Sequence, residues 1–139
     1  MTKFDITTLN RAVARLDEGL LRYQTDISDL QIRDGLIQRF EFTYEISHKI
    51  LKRYLELTSA NPQEFDGMTF QDLIRTGNEK SLLLGNWQNW KQYRDMRSRT
   101  SHTYDEDIAL QVVEGIPQFL EEVKFLQQSL QERLNANNH

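Results

Sequence analysis

Cysteine is absent from this chain of 139 residues, which excludes disulfide staples, thiolate nucleophiles and cysteine-ligated zinc. Proline occurs twice and glycine six times. That is too little punctuation for many short strands, and most of it falls between periodic segments, which favours long helices. No apolar run approaches the roughly 18 residues of a membrane span. The opening "MTKFDITTLN" also lacks the apolar core of a secretory signal, so the expected location is the cytoplasm, with no membrane partner. An excess of base is missing too: 17 Lys and Arg stand against 21 Asp and Glu, for a net charge of −4. A general nucleic-acid coat is usually strongly basic, so only a local basic patch is left open. There is no glycine-rich phosphate loop, and no His-x-x-x-His pair that would seat a catalytic metal on a helix.

What is present reads as one soluble domain over 1–139, with 38% hydrophobic and 27% charged residues. Leu9, Val13, Leu16, Leu20 and Tyr23 follow helical spacing, and Thr7 or Thr8 is a plausible N-cap. A first helix is expected over about residues 8–24. The stretch that follows carries two stripes, Ile37–Phe40–Tyr44–Leu51–Leu55 and Leu36–Ile46–Ile50–Leu57. An apolar face that wide suits a central helix, expected over roughly 29–58, packed against several neighbours.

Pro62 and Gly67 mark a loop, after which Thr69 caps a short helix closed by Gly77. Asn86 is expected to cap a helix from Trp87 to about Thr100, and Asp105 the last one. Pro117 lies inside that last stripe and should kink or briefly break the helix near Gly115. The fold expected is all-α: an up-down four-helix bundle with one short extra helix and a proline-kinked last helix.

Most carboxylates, including those of "DEDIA" and "FLEEVK", read as solvated helix surface. Of the three histidines, His139 is terminal and expected to be disordered, and His48 reads as a rim or core residue beside two apolar stripes. The third lies in "RSRTSHTY", residues 97–104, which contains no aliphatic side chain. On a regular helix Trp87, Trp90, Tyr93, Arg94 and Arg97 fall within about 120° of one another. A guanidinium among aromatics needs to be stacked, paired or at an interface. His102 would be rotated about 140° from Arg97. The two can meet only if the helix unwinds around "TSH" or if a second copy of the chain supplies the partner group. Equally, Arg97 can pair with a carboxylate while His102 merely begins the loop before the Asp105 cap.

Two separated segments, "IRDGLIQRFEFTYEISHKILKRYLE" (32–56) and "RSRTSHTYDED" (97–107), closely resemble the HEPN-fold small subunits that accompany minimal nucleotidyltransferases. That family is described as nucleotidyltransferase substrate-binding protein, or HepT-type toxin. The most specific element is Arg-x₄-His-x-Tyr, matched by Arg97, His102 and Tyr104. The sequence departs from the family at Ser98, where Asn, Asp or His is usual, and at Arg99, where an aliphatic residue is common.

The resemblance implies a homodimer whose motifs face each other across a cleft, with Arg97 and His102 as the catalytic pair of a metal-independent endoribonuclease. Lys91, Arg94 and Arg99 would then hold the RNA backbone by salt-sensitive contacts. It also implies a cognate nucleotidyltransferase encoded nearby, which silences the toxin by adding AMP to Tyr104. No cofactor is expected for this chain itself, and ATP and Mg²⁺ serve only the partner. The alternative is a non-catalytic substrate-binding subunit of a nucleotidyltransferase complex, in which the same motif is a docking or acceptor site.

Overall fold

A computed structural model describes residues 4–136; His139 lies outside the described residues. Five helices follow one another: α1 (Thr7–Thr25), α2 (Leu30–Leu57), α3 (Phe70–Glu79), α4 (Trp87–Arg99) and α5 (Glu106–Ala136). Among the described residues there is no strand, and the architecture is an all-α bundle in which the ten-residue α3 is the short extra helix. No helix in this part of the chain is long and apolar enough to cross a membrane.

The helix starts are set largely by side chains that accept otherwise orphaned N–H groups. Asp29 takes the amides of Gln31 and Ile32 at 2.9 and 3.1 Å. Thr69 takes that of Asp72, and Asp105 those of Asp107 and Ile108. Asn86 and Asn89 accept each other's backbone N–H in a reciprocal capping box. At α1 the expected threonine cap is not used. Thr7 is already helical, and Asp5 Oδ1 accepts its N–H at 3.0 Å.

Gly77 does not close α3, which continues to Glu79. It is small because Leu83 folds back onto it: a β-carbon there would sit 2.8 Å from Leu83 Cδ1. Of the two outcomes expected at Pro117, a break does not occur, since α5 is continuous through it. The missing proline N–H costs one rung, while Ile116, Phe119 and Leu120 around it are buried and hold both halves in register.

Phe119 lies at the centre of the core, fully buried. Its ring meets Phe40 at 4.9 Å, Tyr93 at 5.2 Å, and Tyr44 and Trp90 each at 6.3 Å. This cluster joins α2, α4 and α5, and so fixes where the far end of α4 emerges.

The carboxylates are less uniformly solvated than composition suggests. Glu122 is 1% exposed, and its two oxygens accept the backbone N–H groups of Leu84 and Gly85, both at 2.7 Å. Burial raises its pKa above the ordinary carboxylate value, against the lowering effect of those two bonds. A glutamine there would turn an N–H₂ toward one of the two donors. Glu122→Gln is therefore expected to cost about 1–3 kcal/mol, measured by denaturant melts. Because the folded state holds its proton more tightly, wild-type stability should decline as pH rises above 4.5, and the variant should lack that share of the slope.

Glu106 stays solvated, with 63% of its side chain exposed, but it is paired. Arg33, 5% exposed, donates to both of its oxygens, at 2.6 and 3.1 Å. That pairing holds the Glu106 carboxyl below its ordinary value. The contact therefore stabilises the fold above pH 4.5 and fades as pH falls through the lowered value.

Candidate active site at the connection between α4 and α5

α4 ends on Arg99 and the chain tightens into a 3₁₀ turn over Thr100–His102 before Asp105 starts α5. The regular α-helix therefore ends at "TSH", where the chain departs from the α-helical path that would hold Arg97 and His102 about 140° apart. Thr100 fixes the transition. It is buried, its Oγ1 donates to the Arg97 carbonyl at 2.7 Å, and the same oxygen accepts from Arg97 Nη1 at 3.0 Å. One turn earlier, Met96 packs closely on Gly115 of α5, where a β-carbon would lie 2.5 Å from Met96 Sδ.

Arg97 is about one-third exposed, at 33% of its side chain. Its Nε donates to Glu45 Oε1 at 3.0 Å, and Nη1 lies 3.8 Å from Glu41 Oε2. The expectation of a carboxylate partner is met, and the partners are two residues one turn apart on α2. Neither glutamate had been singled out from sequence. Their i, i+4 spacing on the helix that receives α4 was the available signal.

His102 is exposed, and none of the Arg97 hydrogen bonds reaches it. Its backbone carbonyl accepts from Asp105 N at 3.1 Å, which closes the turn. Tyr104 is 87% exposed, so the buried-tyrosine alternative does not hold, and its ring stands 6.0 Å from that of His102, edge to face. Arg97 is thus anchored in the last turn of α4, while His102 and Tyr104 stand in solvent on the short connection that follows.

The neighbouring cations divide between two faces. Arg94 lies over the Trp87 ring at 5.0 Å and near Phe70 at 5.9 Å, and Lys91 is exposed one turn before it. Arg94 lies on the Arg97 side. Arg99 instead donates to Gln111 Oε1 on α5 at 2.5 Å, on the opposite face of α4. Ser98 is exposed and its carbonyl accepts from Ser101 Oγ at 3.0 Å.

Trp90 and Tyr93 are 1% and 2% exposed and belong to the core, so only Trp87 of the three aromatics reaches the surface. They offer no aromatic surface to a second copy of the chain. His48 is half-buried against Phe70, with ring centres 4.8 Å apart, and burial lowers its pKa. It fits the rim role expected of it. Among the described residues, no three His, Asp or Glu side chains gather as a metal ligand set.

Residues 4–132 match the model of the family described as nucleotidyltransferase substrate binding protein like. The chain belongs to this family. A Haemophilus influenzae protein named "Probable ribonuclease HepT" is 41% identical, with 94% of each chain covered. Among solved structures, one from Haemophilus influenzae, described as the fold of a substrate binding domain of a nucleotidyltransferase, superposes with a TM-score of 0.85. It is 32% identical and covers 91% of this chain and 99% of its own. A second, from Thermus thermophilus, gives a TM-score of 0.70 at 28% identity over 88% of this chain and 98% of its own. Family membership supports association with a nucleotidyltransferase, and the HepT-type assignment read from the two sequence segments stands.

Proposed function

We propose that this chain is the toxin of a nucleotidyltransferase–HEPN pair, a metal-independent endoribonuclease that its cognate nucleotidyltransferase silences at Tyr104. The reading rests on the connection between α4 and α5, where an anchored arginine, an exposed histidine and a tyrosine 87% exposed lie within eight residues. An imidazole can take the 2′-hydroxyl proton of a ribose and return one to the departing 5′-oxygen at neutral pH. The 2′-oxygen attacks the adjacent phosphorus, the bond to the 5′-oxygen breaks, and a 2′,3′-cyclic phosphate remains. Arg97 would carry the developing charge on the phosphate, with Glu45 holding the guanidinium by Nε and Thr100 by Nη1, which leaves Nη2 for the substrate.

Because Arg97 bonds to Glu45 and Thr100 rather than to His102, a composite site across a two-fold homodimer is the assembly we favour. Arg94 stacked on Trp87, with Lys91 beside it, would form the wall that holds the RNA backbone. Light scattering at tens of micromolar should give twice the chain mass. A monomer at that concentration would remove the composite site.

Silencing follows from the exposed phenol. Its oxygen attacks the α-phosphorus of ATP, pyrophosphate leaves, and the phenolic proton passes to solvent or to a base of the partner. The resulting phosphodiester would sit beside Arg97 and His102 and exclude RNA by both charge and bulk. Incubation with the neighbouring nucleotidyltransferase, ATP and Mg²⁺ should add one AMP mass at Tyr104 and none to Tyr104→Phe. Expressed alone, the chain should slow growth and degrade RNA, and co-expression should relieve both. Modification without any cleavage by the unmodified chain would favour the substrate-binding alternative, to which the Glu45 and Glu41 pairing of Arg97 also lends itself. A fully modified Tyr104→Phe variant would move the acceptor elsewhere.

A further inference from the structure

The side of α2 turned away from α4 carries a second feature, unrelated to the motif. Between α1 and α2 runs a groove made of two adjoining hollows of about 280 and 350 Å³, which share Thr8 and Ile46. Its floor is aliphatic, from Ala12 through Ile46 to Ile50. Phe42 stands at its edge with 60% of its surface in water, costly for a phenyl ring that nothing covers.

Five cations line this groove, Arg11 and Arg15 on α1 and Arg39, Lys49 and Arg53 on α2. They gather on a chain whose net charge is −4. Among the described residues, none of the five is ion-paired with a carboxylate. Asp5 is the sole acid on the rim, and its Oδ1 is occupied by the Thr7 amide. Arg39 is held in place by donating to the Arg15 carbonyl at 2.7 Å, so its charge is fixed at the groove mouth.

We infer that this groove docks an acidic amphipathic helix of another protein. An aliphatic floor between two cationic rims complements a helix with an apolar stripe flanked by carboxylates. From Arg39 to Arg53 the α2 rim extends for about 21 Å, enough to seat about four turns. Phe42, Ile46 and Ile50 recur at one-turn intervals, which matches apolar residues spaced i, i+4 on the incoming helix. A single RNA strand fits less well, because stacking platforms need successive aromatic faces and this floor offers aliphatic ones.

The test uses the full chain and a labelled, stapled synthetic helix of about 18 residues with a leucine stripe flanked by glutamates, read by fluorescence anisotropy. Saturable binding is expected. It should weaken by about tenfold or more in Arg11→Glu/Arg15→Glu and in Phe42→Ser, with melting temperatures unchanged. A version with lysine in place of glutamate should not bind. Absence of saturable binding by the acidic helix, binding that survives both variants, or equal binding of the lysine version would overturn the inference. A single-stranded oligoribonucleotide that binds more tightly and displaces the peptide would overturn it in favour of RNA. Self-association lost in Phe42→Ser, with no peptide binding, would overturn it in favour of a second copy of the chain. Arg97, His102 and Tyr104 are untouched in these variants, so failure here leaves the proposed function standing.

Discussion

Arg97→Ala and His102→Ala are each expected to abolish detectable RNA cleavage while leaving the fold in place. Removal of a proton-transferring imidazole typically costs a factor of about 10²–10⁴, and loss of a charge-stabilising donor about 10²–10³. The structural side effects should be small. His102 is exposed and makes no side-chain hydrogen bond among the described residues. Arg97 is 33% exposed, and its pairs with Glu45 and Glu41 are partly solvated; pairs of that kind contribute about 0–1 kcal/mol. Circular dichroism and melting should therefore match wild type.

Cleavage should persist in EDTA, and its products should end in a 2′,3′-cyclic phosphate. Glu45→Gln gives an intermediate outcome, since an amide oxygen still accepts from Arg97 Nε but carries no charge. Cleavage that survives both alanine substitutions would place the chemistry outside this connection.

Phe119→Ala is expected to be the most damaging single substitution in the core. Phe119 is fully buried and its ring lies against Phe40, Tyr44, Trp90 and Tyr93. These belong to α2 and α4, so the cavity would open where three helices meet and none could close it alone. A buried phenylalanine truncated to alanine costs about 3–5 kcal/mol, or roughly 10–15 °C in melting temperature for a chain of this size. Phe119→Leu should recover most of the loss. An equal penalty for both would mean that the edge-to-face contacts, rather than volume, dominate. Activity should fall along with stability in Phe119→Ala, because the same cluster positions the end of α4.

The helices were legible because each apolar stripe has a 3.6-residue period and the caps Thr69, Asn86 and Asp105 are local signals. What periodicity cannot give is which neighbour covers a face. Trp90 and Tyr93 share a stripe with Arg97, yet the core ring of Phe119 draws the first two inward while α2 receives the third. Glu122 looked solvated because its partners, the amides of Leu84 and Gly85, lie nearly forty residues earlier in the chain. Arg33 and Glu106 are farther apart still, 73 residues. Gly77 was misread for a related reason: its smallness serves the return of Leu83, not a helix end. The motif itself emerged from its resemblance to a family, since Arg-x₄-His alone does not fix where two side chains point.

The connection that carries the motif is pinned at both ends. Thr100 clamps its start to Arg97, and Glu106, the first residue of α5, is held in a two-pronged grip by a buried arginine. Between these anchors the main chain has little room to wander, while the Tyr104 ring is free to rotate in water. Any enzyme that reaches this phenol therefore meets a swivelling ring on a stationary backbone, and pays mainly for freezing two side-chain torsions rather than a loop. In relaxation measurements residues 100–106 should resemble the helices, with fast motion confined to the ring.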